Sequence, residues 1–302
     1  MSNEELKKQF KNRDRILLVL SKNGHFRAAL LRNTNTAKIA QKKHNLTGIP
    51  SSYLARALSG ASLIASFLKG EERAIVEFQG NGVISKIYAE SSHHGEVRGY
   101  LHLASNASKV EINDEKDILG EGILKVTRIL YDKSHPVVGI LEIQNGDIAN
   151  DLTYYFNQSE QIPTAIIMDV NLSEKDIIDH SSALIVQAMP GFTLDELKSV
   201  LDSLTNIKDL SDIINNSEDS QDALHKILPF DFDIMSNKPV DFLCRCTKDK
   251  FIDALHTLSY NEIEQMQKEG QNELVCQYCN RHYYLDDNDF EKIKLAIIAK
   301  KN

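Results

Sequence analysis

Apolar and polar residues in the first 191 positions alternate in short runs, which predicts strands separated by turns. Two apolar runs, 15–20 and 26–31, flank an Asn-Gly pair, the strongest short-range signal of a β-hairpin. Seven further strands are predicted at 74–78, 83–89, 96–103, 123–130, 137–143, 164–170 and 183–189. Because several of these runs follow one another across short turns, we expect a mainly antiparallel sheet.

Helical patterns interrupt these strands at 37–44, 53–68 and 148–158. The helix at 53–68 is rich in Ala, Ser and Gly, and it stops at Gly70, a residue type that commonly ends helices. Small side chains let backbones approach closely, so we expect this helix to pack tightly on a sheet or on another helix. Residues 1–191 are therefore predicted to form an α+β domain in which strands outnumber helices.

Residues 192–242 have a different pattern. Thr193 and Glu196 have the spacing of a capping box, and short amphipathic helices are predicted after Thr193, at 210–214 and at 221–228. The segment contains 4 basic and 11 acidic residues, whereas residues 1–191 contain 22 of each. Short helices with excess negative charge are marginal alone, so we expect an acidic helical linker that folds only when docked. An ordinary helical linker is the alternative.

All the cysteines lie in residues 243–302, at Cys244, Cys246, Cys276 and Cys279. They form a C-x-C pair and a C-x-x-C pair, and four thiolates from two tight pairs suit the tetrahedral coordination that Zn²⁺ favours. A segment of this length, with helical patterns only at 248–258 and 289–299, has a small core that commonly needs a metal or disulfides. The sequence therefore predicts a small C-terminal domain that binds one zinc ion per chain.

The same thiols allow more than one chemistry. A C-x-C pair can ligate a metal or close on itself, and C-x-x-C is the spacing of dithiols that cycle between thiol and disulfide. A static structural zinc site and a site that exchanges zinc for two local disulfides are both open. A third alternative is a thiol-disulfide oxidoreductase that uses Cys276 and Cys279, although such enzymes usually place the C-x-x-C at a helix N-terminus within a βαβ fold.

Charge and hydropathy argue against other classes of protein. The net charge is −8, and the 9 basic and 10 acidic residues of 243–302 give no electrostatic footprint for a nucleic-acid-binding zinc ribbon. No run of 18 apolar residues predicts a membrane span. Residues 1–8 lack the apolar core of a secretory signal, so we expect a cytoplasmic protein.

Other candidate functional residues have weaker patterns. His93 and His94 precede a glycine at a predicted hairpin tip and are expected to be solvated. Ser159, Asp151 and His180 could be combined into a hydrolase triad, but the Gly-x-Ser-x-Gly pattern is absent around Ser159. We therefore expect no active site and no enzymatic activity.

Six features of the sequence, in this order, match one known protein family. They are residues 56–61, 69–73, 95–100, 155–161 and 187–191, and the C-x-C that a 29-residue spacer separates from the C-x-x-C. Over nearly its whole length the chain resembles the Heat shock protein 33 family, the redox-regulated molecular chaperones of the bacterial cytoplasm. Ser182-Ala183-Leu184 departs from the glycine-rich stretch expected before residue 187, which leaves the four cysteines unaffected.

The resemblance implies an ATP-independent holdase that protects unfolding proteins from aggregation under oxidative stress. In that family zinc on the four cysteines keeps the protein inactive. Oxidation pairs neighbouring cysteines, here Cys244 with Cys246 and Cys276 with Cys279, releases zinc and unfolds the linker. The family further implies an oxidised homodimer that binds unfolding client proteins. From the charge and hydropathy given above, neither nucleic acid nor a membrane is expected as a partner.

Overall fold

The structure, a computed structural model, describes residues 13–107, 112 and 114–301, so residues 1–8, considered above as a possible leader, lie outside the described residues. The chain divides into two compact units, Met1–Leu243 and Cys244–Asn302. This division places the predicted zinc-binding segment in a unit of its own. The further division of the first unit into a domain and a linker stays a prediction.

Strands and helices are numbered in chain order. The strands are β1 (Arg15–Ser21), β2 (Phe26–Arg32), β3 (Arg73–Gly80), β4 (Ile84–Ser92), β5 (Glu96–Leu103), β6 (Gly122–Ile129), β7 (Val137–Glu142), β8 (Thr164–Leu172), β9 (Ile178–Ala188), β10 (Phe232–Pro239), β11 (Asp241–Phe242), β12 (Glu273–Val275) and β13 (His282–Tyr284). The helices are α1 (Thr34–Lys43), α2 (Gly48–Ser66), α3 (Lys116–Leu119), α4 (Ile148–Tyr155), α5 (Leu194–Thr205), α6 (Leu210–Asn215), α7 (Ser220–Ile227), α8 (Lys248–Leu255), α9 (Tyr260–Lys268) and α10 (Asp287–Lys301).

The first unit contains two sheets rather than one. A five-stranded sheet has the order β10-β1-β2-β9-β8, and every pairing in it is antiparallel. A six-stranded sheet has the order β11-β5-β4-β3-β6-β7, and only the short β11 pairs in parallel. The predicted α+β fold with a mainly antiparallel sheet is confirmed.

Helix α2 packs against strands of both sheets. The close packing predicted from its small residues is confirmed at Gly60, where an added Cβ would lie 2.6 Å from Cδ1 of Leu152 in α4. The helix begins at Gly48, five residues before the predicted start. Pro50 lies in its first turn, where the missing N–H of proline would have no helical partner in any case.

The predicted linker, 192–242, contains the three expected helices, α5, α6 and α7. Their apolar side chains form one core cluster with the five-stranded sheet. From the helices and their flanks come Val200, Leu204, Leu210, Ile214, Ala223, Leu224, Ile227 and Leu228. From β1, β2 and β9 come Leu17, Val19, Phe26, Ala28, Leu30, Leu184, Val186 and Ala188. The linker helices therefore cover an apolar face of this sheet.

The last part of the predicted helical linker, after α7, forms strands β10 and β11, for which the sequence predicted no element. Strand β10 pairs with β1, and only Phe232 among its eight residues is buried. Its sequence, Phe-Asp-Ile-Met-Ser-Asn-Lys-Pro, has no clean apolar alternation because β10 is an edge strand with exposed side chains. Pairing with a distant strand rather than local pattern fixes this conformation.

The second unit consists of α8, α9 and α10 around the short hairpin of β12 and β13. Its buried apolar core is formed by Ile263, Leu285, Phe290, Ile293 and Ile297. Helix α9 was missed by the sequence analysis, although Ser259 and Glu262 form a complete capping box at its start. Five buried side chains make a small core, as expected for a segment of this length.

We predict that Leu204→Ala weakens the docking of the linker helices strongly. Leu204 is 5% exposed in the shared cluster, so truncation should lower the free energy of unfolding by about 2–5 kcal/mol. Leu194→Ala on the same helix is the matched control, because Leu194 is 81% exposed and should change stability by less than about 0.5 kcal/mol. Urea unfolding followed by circular dichroism tests this, and equal effects of the two substitutions would refute the described packing.

Candidate metal centre

The four cysteine side chains come together in the second unit. Cys244 and Cys246 lie between β11 and α8, whereas Cys276 directly follows β12 and Cys279 lies in the turn before β13. Their Sγ atoms all lie within 4.8 Å of one another, and all four are free thiols. Within the described ranges, this is the one group of three or more His, Cys, Asp or Glu side chains arranged closely enough to hold a metal ion.

The turn between β12 and β13 holds the second cysteine pair by backbone hydrogen bonds. The N–H of Cys276 donates to the carbonyl of Arg281 (2.9 Å), and the N–H of Asn280 donates to the carbonyl of Cys276 (2.7 Å). Asn280 adopts φ +53°, a left-handed conformation that asparagine tolerates. Backbone N–H groups of Tyr278 and Cys279 also donate to the sulfur of Cys276, an arrangement that stabilises a thiolate.

The first pair is held by a side chain from the hairpin. The hydroxyl of Tyr283 lies 2.9 Å from the carbonyl oxygen of Cys246 and 3.3 Å from its Sγ. Thr247, the next residue, is the N-cap of α8 and accepts a hydrogen bond from the N–H of Lys250 (3.3 Å). Cys246 therefore lies beside the N-terminus of a helix, where a negative sulfur is favoured.

The thiols differ in acidity. Burial raises the pKa of both Cys276 and Cys279, although backbone N–H groups partly offset this. At Cys246 burial also raises the pKa, but hydrogen bonds from Tyr283 and from the neighbouring sulfurs outweigh it and bring the pKa to about 7. The sulfurs are close enough that ionisation of one opposes ionisation of its neighbours when no cation lies among them.

The geometry and chemistry of the donors fit a tetrahedral metal ion. With metal–sulfur bonds of about 2.3 Å, the sulfurs of a tetrahedral Cys₄ site lie about 3.8 Å apart. Here Cys244 and Cys276 have their sulfurs 3.7 Å apart, and Cys246 and Cys279 have theirs 3.4 Å apart. The arrangement therefore suits a soft divalent cation such as Zn²⁺ with only small adjustment.

The remaining candidate residues are in different surroundings. His94 is exposed as expected, but His93 is partly buried and its Nε2 lies 2.6 Å from Nζ of Lys238. Asp151 is buried and accepts the backbone N–H of Gln144 (3.0 Å), whereas buried His180 contacts Ser182 (3.0 Å). In the part of the chain that the structure describes, neither residue hydrogen-bonds Ser159, so the possible triad is not assembled.

The same described part contains no helix that is both long enough and apolar enough to cross a membrane.

Comparison with known proteins identifies the family. The family model described as "Hsp33 protein" matches residues 14–286, which include all four cysteines. The chain belongs to the Hsp33 family. Its cysteine cluster is therefore the candidate metal centre of an Hsp33 protein, and the expected family membership is confirmed.

Individual Hsp33 relatives match over nearly their whole length. The 33 kDa chaperonin of Geobacillus kaustophilus is 31% identical over 95% of this chain and 99% of the relative. That of Enterococcus faecalis is 30% identical over 93% and 96% respectively. The crystal structure of the 33 kDa chaperonin (heat shock protein 33 homolog) from Thermotoga maritima superimposes with a TM-score of 0.84 at 27% identity, covering 96% of this chain and all of that chain.

Tyr283 is the residue of this Hsp33 site that the sequence analysis missed. It lies four residues after Cys279, and a tyrosine at that distance has no recognisable metal-site spacing. Its hydroxyl reaches Cys246, 37 residues earlier, only because β13 folds back toward the first pair. A contact of this kind depends on tertiary structure and leaves no local signal.

We predict that Tyr283→Phe weakens metal binding by about 10-fold, because groups that hydrogen-bond to metal ligands typically contribute this much. Tyr284→Phe is the matched control, since the hydroxyl of Tyr284 donates to Glu273 (2.8 Å) on the same hairpin rather than to a sulfur. Competition for Zn²⁺ against a chromophoric chelator measures both affinities. Equal affinities of the two variants would contradict a role for Tyr283 at the centre.

Proposed function

We propose that this chain is a redox-regulated, ATP-independent holdase chaperone, inactive when reduced and zinc-bound and active when oxidised. The observation that carries the proposal is the cluster of four sulfurs within 4.8 Å in a chain of the Hsp33 family. Such a cluster can exist as four thiolates on one zinc ion or as two disulfides without metal. In the zinc-bound state one metal ion joins the two cysteine pairs to each other. In the disulfide state each pair is closed on itself and nothing joins the two pairs.

Zinc supplies the stability that the small core of the second unit lacks. Structural zinc on four thiolates contributes about 10–16 kcal/mol of apparent binding free energy in small peptides. This exceeds the total stability of many small domains, and here the buried apolar core consists of five side chains. Loss of the thiolates is therefore expected to unfold the second unit.

Oxidation removes the ligands directly. Joining two thiolates in a disulfide takes two electrons from the pair and leaves neither sulfur as an anionic ligand. We propose that Cys244 pairs with Cys246 and Cys276 with Cys279. The family supports this pairing. Each disulfide would close a very short loop, and such disulfides tend to be strained and readily reduced, which suits a reversible switch. Distance alone does not select this pairing, since all four sulfurs are mutually close.

Unfolding of the second unit would reach the linker through the chain itself. Leu243 is the last residue of the first unit, and its N–H donates to the carbonyl of Val97 (3.0 Å). The next residue is Cys244, the first of the four cysteines. Loss of order at Cys244 is therefore expected to reach β11 and β10 first, and then the acidic helices before them, which are marginal without their partners. Their release would uncover the apolar face of the five-stranded sheet, which would bind apolar segments of unfolding proteins.

Three further parts of the proposal rest on the family and on chemistry. The client is an unfolding protein recognised through exposed apolar surface, so binding needs no nucleotide. The oxidised form is expected to be a homodimer, because the uncovered apolar face would also favour self-association. A reducing cytoplasm keeps the thiols available for zinc at rest and makes oxidative stress the activating signal.

A thiol-disulfide oxidoreductase that uses Cys276 and Cys279 is disfavoured by the site itself. Burial raises the pKa of both thiols, so at neutral pH neither is a good attacking thiolate. Catalytic C-x-x-C pairs lower the pKa of the attacking cysteine instead. Reduction of an insulin disulfide by this chain should therefore show little turnover.

We predict that only the oxidised, metal-free form suppresses light scattering by a heat-unfolding client protein, with or without ATP. The reduced, zinc-loaded form should leave the scattering unchanged, and adding reductant with zinc to the oxidised form should restore this inactivity. Size-exclusion chromatography of the same samples tests the dimer. Equal protection of the client by the two forms would show that the zinc site is a static structural element. It would contradict the proposal that oxidation activates the chaperone.

We also predict the pattern of cross-linked peptides after oxidation. Trypsin cuts after Arg245, so the proposed pairing leaves Cys244 and Cys246 on two peptides that a disulfide joins. Cys276 and Cys279 stay on one peptide, which should be lighter by two hydrogens and carry no cross-link. A disulfide between either of the first two cysteines and either of the last two, seen by mass spectrometry without reductant, would contradict the pairing.

A further inference from the structure

Lys238 is held by groups that carry no negative charge. It lies in β10, and its Nζ is 2.6 Å from Nε2, 3.2 Å from Nδ1 and 3.3 Å from the carbonyl oxygen of His93. The side chain is partly buried. Burial lowers the pKa of Lys238, which indicates that its ammonium form is incompletely compensated.

His93 is suited to remain neutral beside this amine. Burial lowers the pKa of His93, and the charges of Lys238 and His94 lower it further. A hydrogen bond to the carbonyl of Ala65 and the charge of Glu72 act in the opposite direction but do not prevail. A neutral imidazole has one nitrogen that accepts a proton, and here the ring is within hydrogen-bond distance of the lysine nitrogen.

Lys86 in the same unit provides a contrast. Its side chain is 31% exposed, and its Nζ lies 2.9 Å from Oε1 of Glu77. Hydrogen bonding to Glu77 raises the pKa of Lys86 and keeps it an ammonium ion. The two lysines are both partly buried, but one faces a carboxylate and the other a neutral ring.

We propose that Lys238 is a nucleophilic lysine, with His93 as its proton acceptor, and that it is a preferred site of acylation by small acyl phosphates. Desolvated lysines without a carboxylate partner are the ones that proteins use as nucleophiles. Lys238 lies in the first unit, six residues before Cys244, and is separate from the four candidate metal ligands.

The chemical step needs no oxidant or metal. The lone pair of neutral Nζ attacks the acyl carbon, a C–N bond forms, and the C–O bond to phosphate breaks as inorganic phosphate leaves. The nitrogen loses one proton, which passes to the ring nitrogen of His93 and then to water. The product is an uncharged amide. Its nitrogen has a single N–H, so it cannot make the several hydrogen bonds to His93 that an ammonium group can make.

Acetyl phosphate added to the full-length, reduced, zinc-loaded chain tests the proposal, with acetylation of each lysine quantified by peptide mass spectrometry at low conversion. Burial lowers the pKa of Lys238 and the carboxylate of Glu77 raises that of Lys86, so Lys238 should react severalfold faster than Lys86 near neutral pH. In urea the two lysines should react at similar rates, because the difference arises from the fold.

Two variants separate the contributions. Glu77→Gln removes the carboxylate from Lys86 and should raise its rate severalfold while leaving Lys238 unchanged. His93→Asn removes the proton acceptor and should slow Lys238 but not Lys86, with circular dichroism confirming that the variant folds. Equal rates of Lys238 and Lys86 in the folded protein, or a rate difference that persists in urea, would overturn the proposal.

Discussion

Four thiolates within 4.8 Å of one another repel too strongly to persist without a cation among them. Two unit charges about 4 Å apart interact with about 4 kcal/mol at an effective dielectric constant of about 20, and the cluster contains six such pairs. The protein offsets only part of this through backbone N–H groups and the hydroxyl of Tyr283. The sulfurs are therefore stable together as a metal site, as protonated thiols or as disulfides, and we propose that the fold of the second unit depends on which of these states they occupy.

A second dependence lies in the first unit, where the linker helices and the five-stranded sheet share one apolar cluster. Separating the two surfaces would expose large aliphatic side chains such as Leu204 and Leu30 to water, which costs free energy. The excess of acidic residues in the linker makes its helices weaker when they are undocked. The same apolar contacts thus cover the sheet and keep the linker folded. The apolar face of the five-stranded sheet is therefore a candidate for the surface that is exposed when the proposed chaperone is activated.

The sequence predicted the parts of the structure that depend on local pattern. The β1–β2 hairpin follows from its Asn-Gly turn, α5 from its capping box, and the grouping of the four cysteines from their spacing. The sequence did not predict β10. Most side chains of this edge strand are exposed, so apolar and polar residues do not alternate along it, and its partner β1 is more than 200 residues away. Tyr283 and the Lys238–His93 contact were also missed, because each joins residues that only the tertiary fold brings together.

We propose above all that the state of the four sulfurs controls whether the linker is folded. Hydrogen exchange of residues 194–227, compared between the reduced zinc-loaded chain and the oxidised metal-free chain, tests it most directly. Our account predicts that both the second unit and these linker helices lose protection on oxidation, while β3 and β4 keep theirs. If the second unit loses protection and the linker helices do not, the zinc centre and the linker are independent, and the proposed coupling is contradicted.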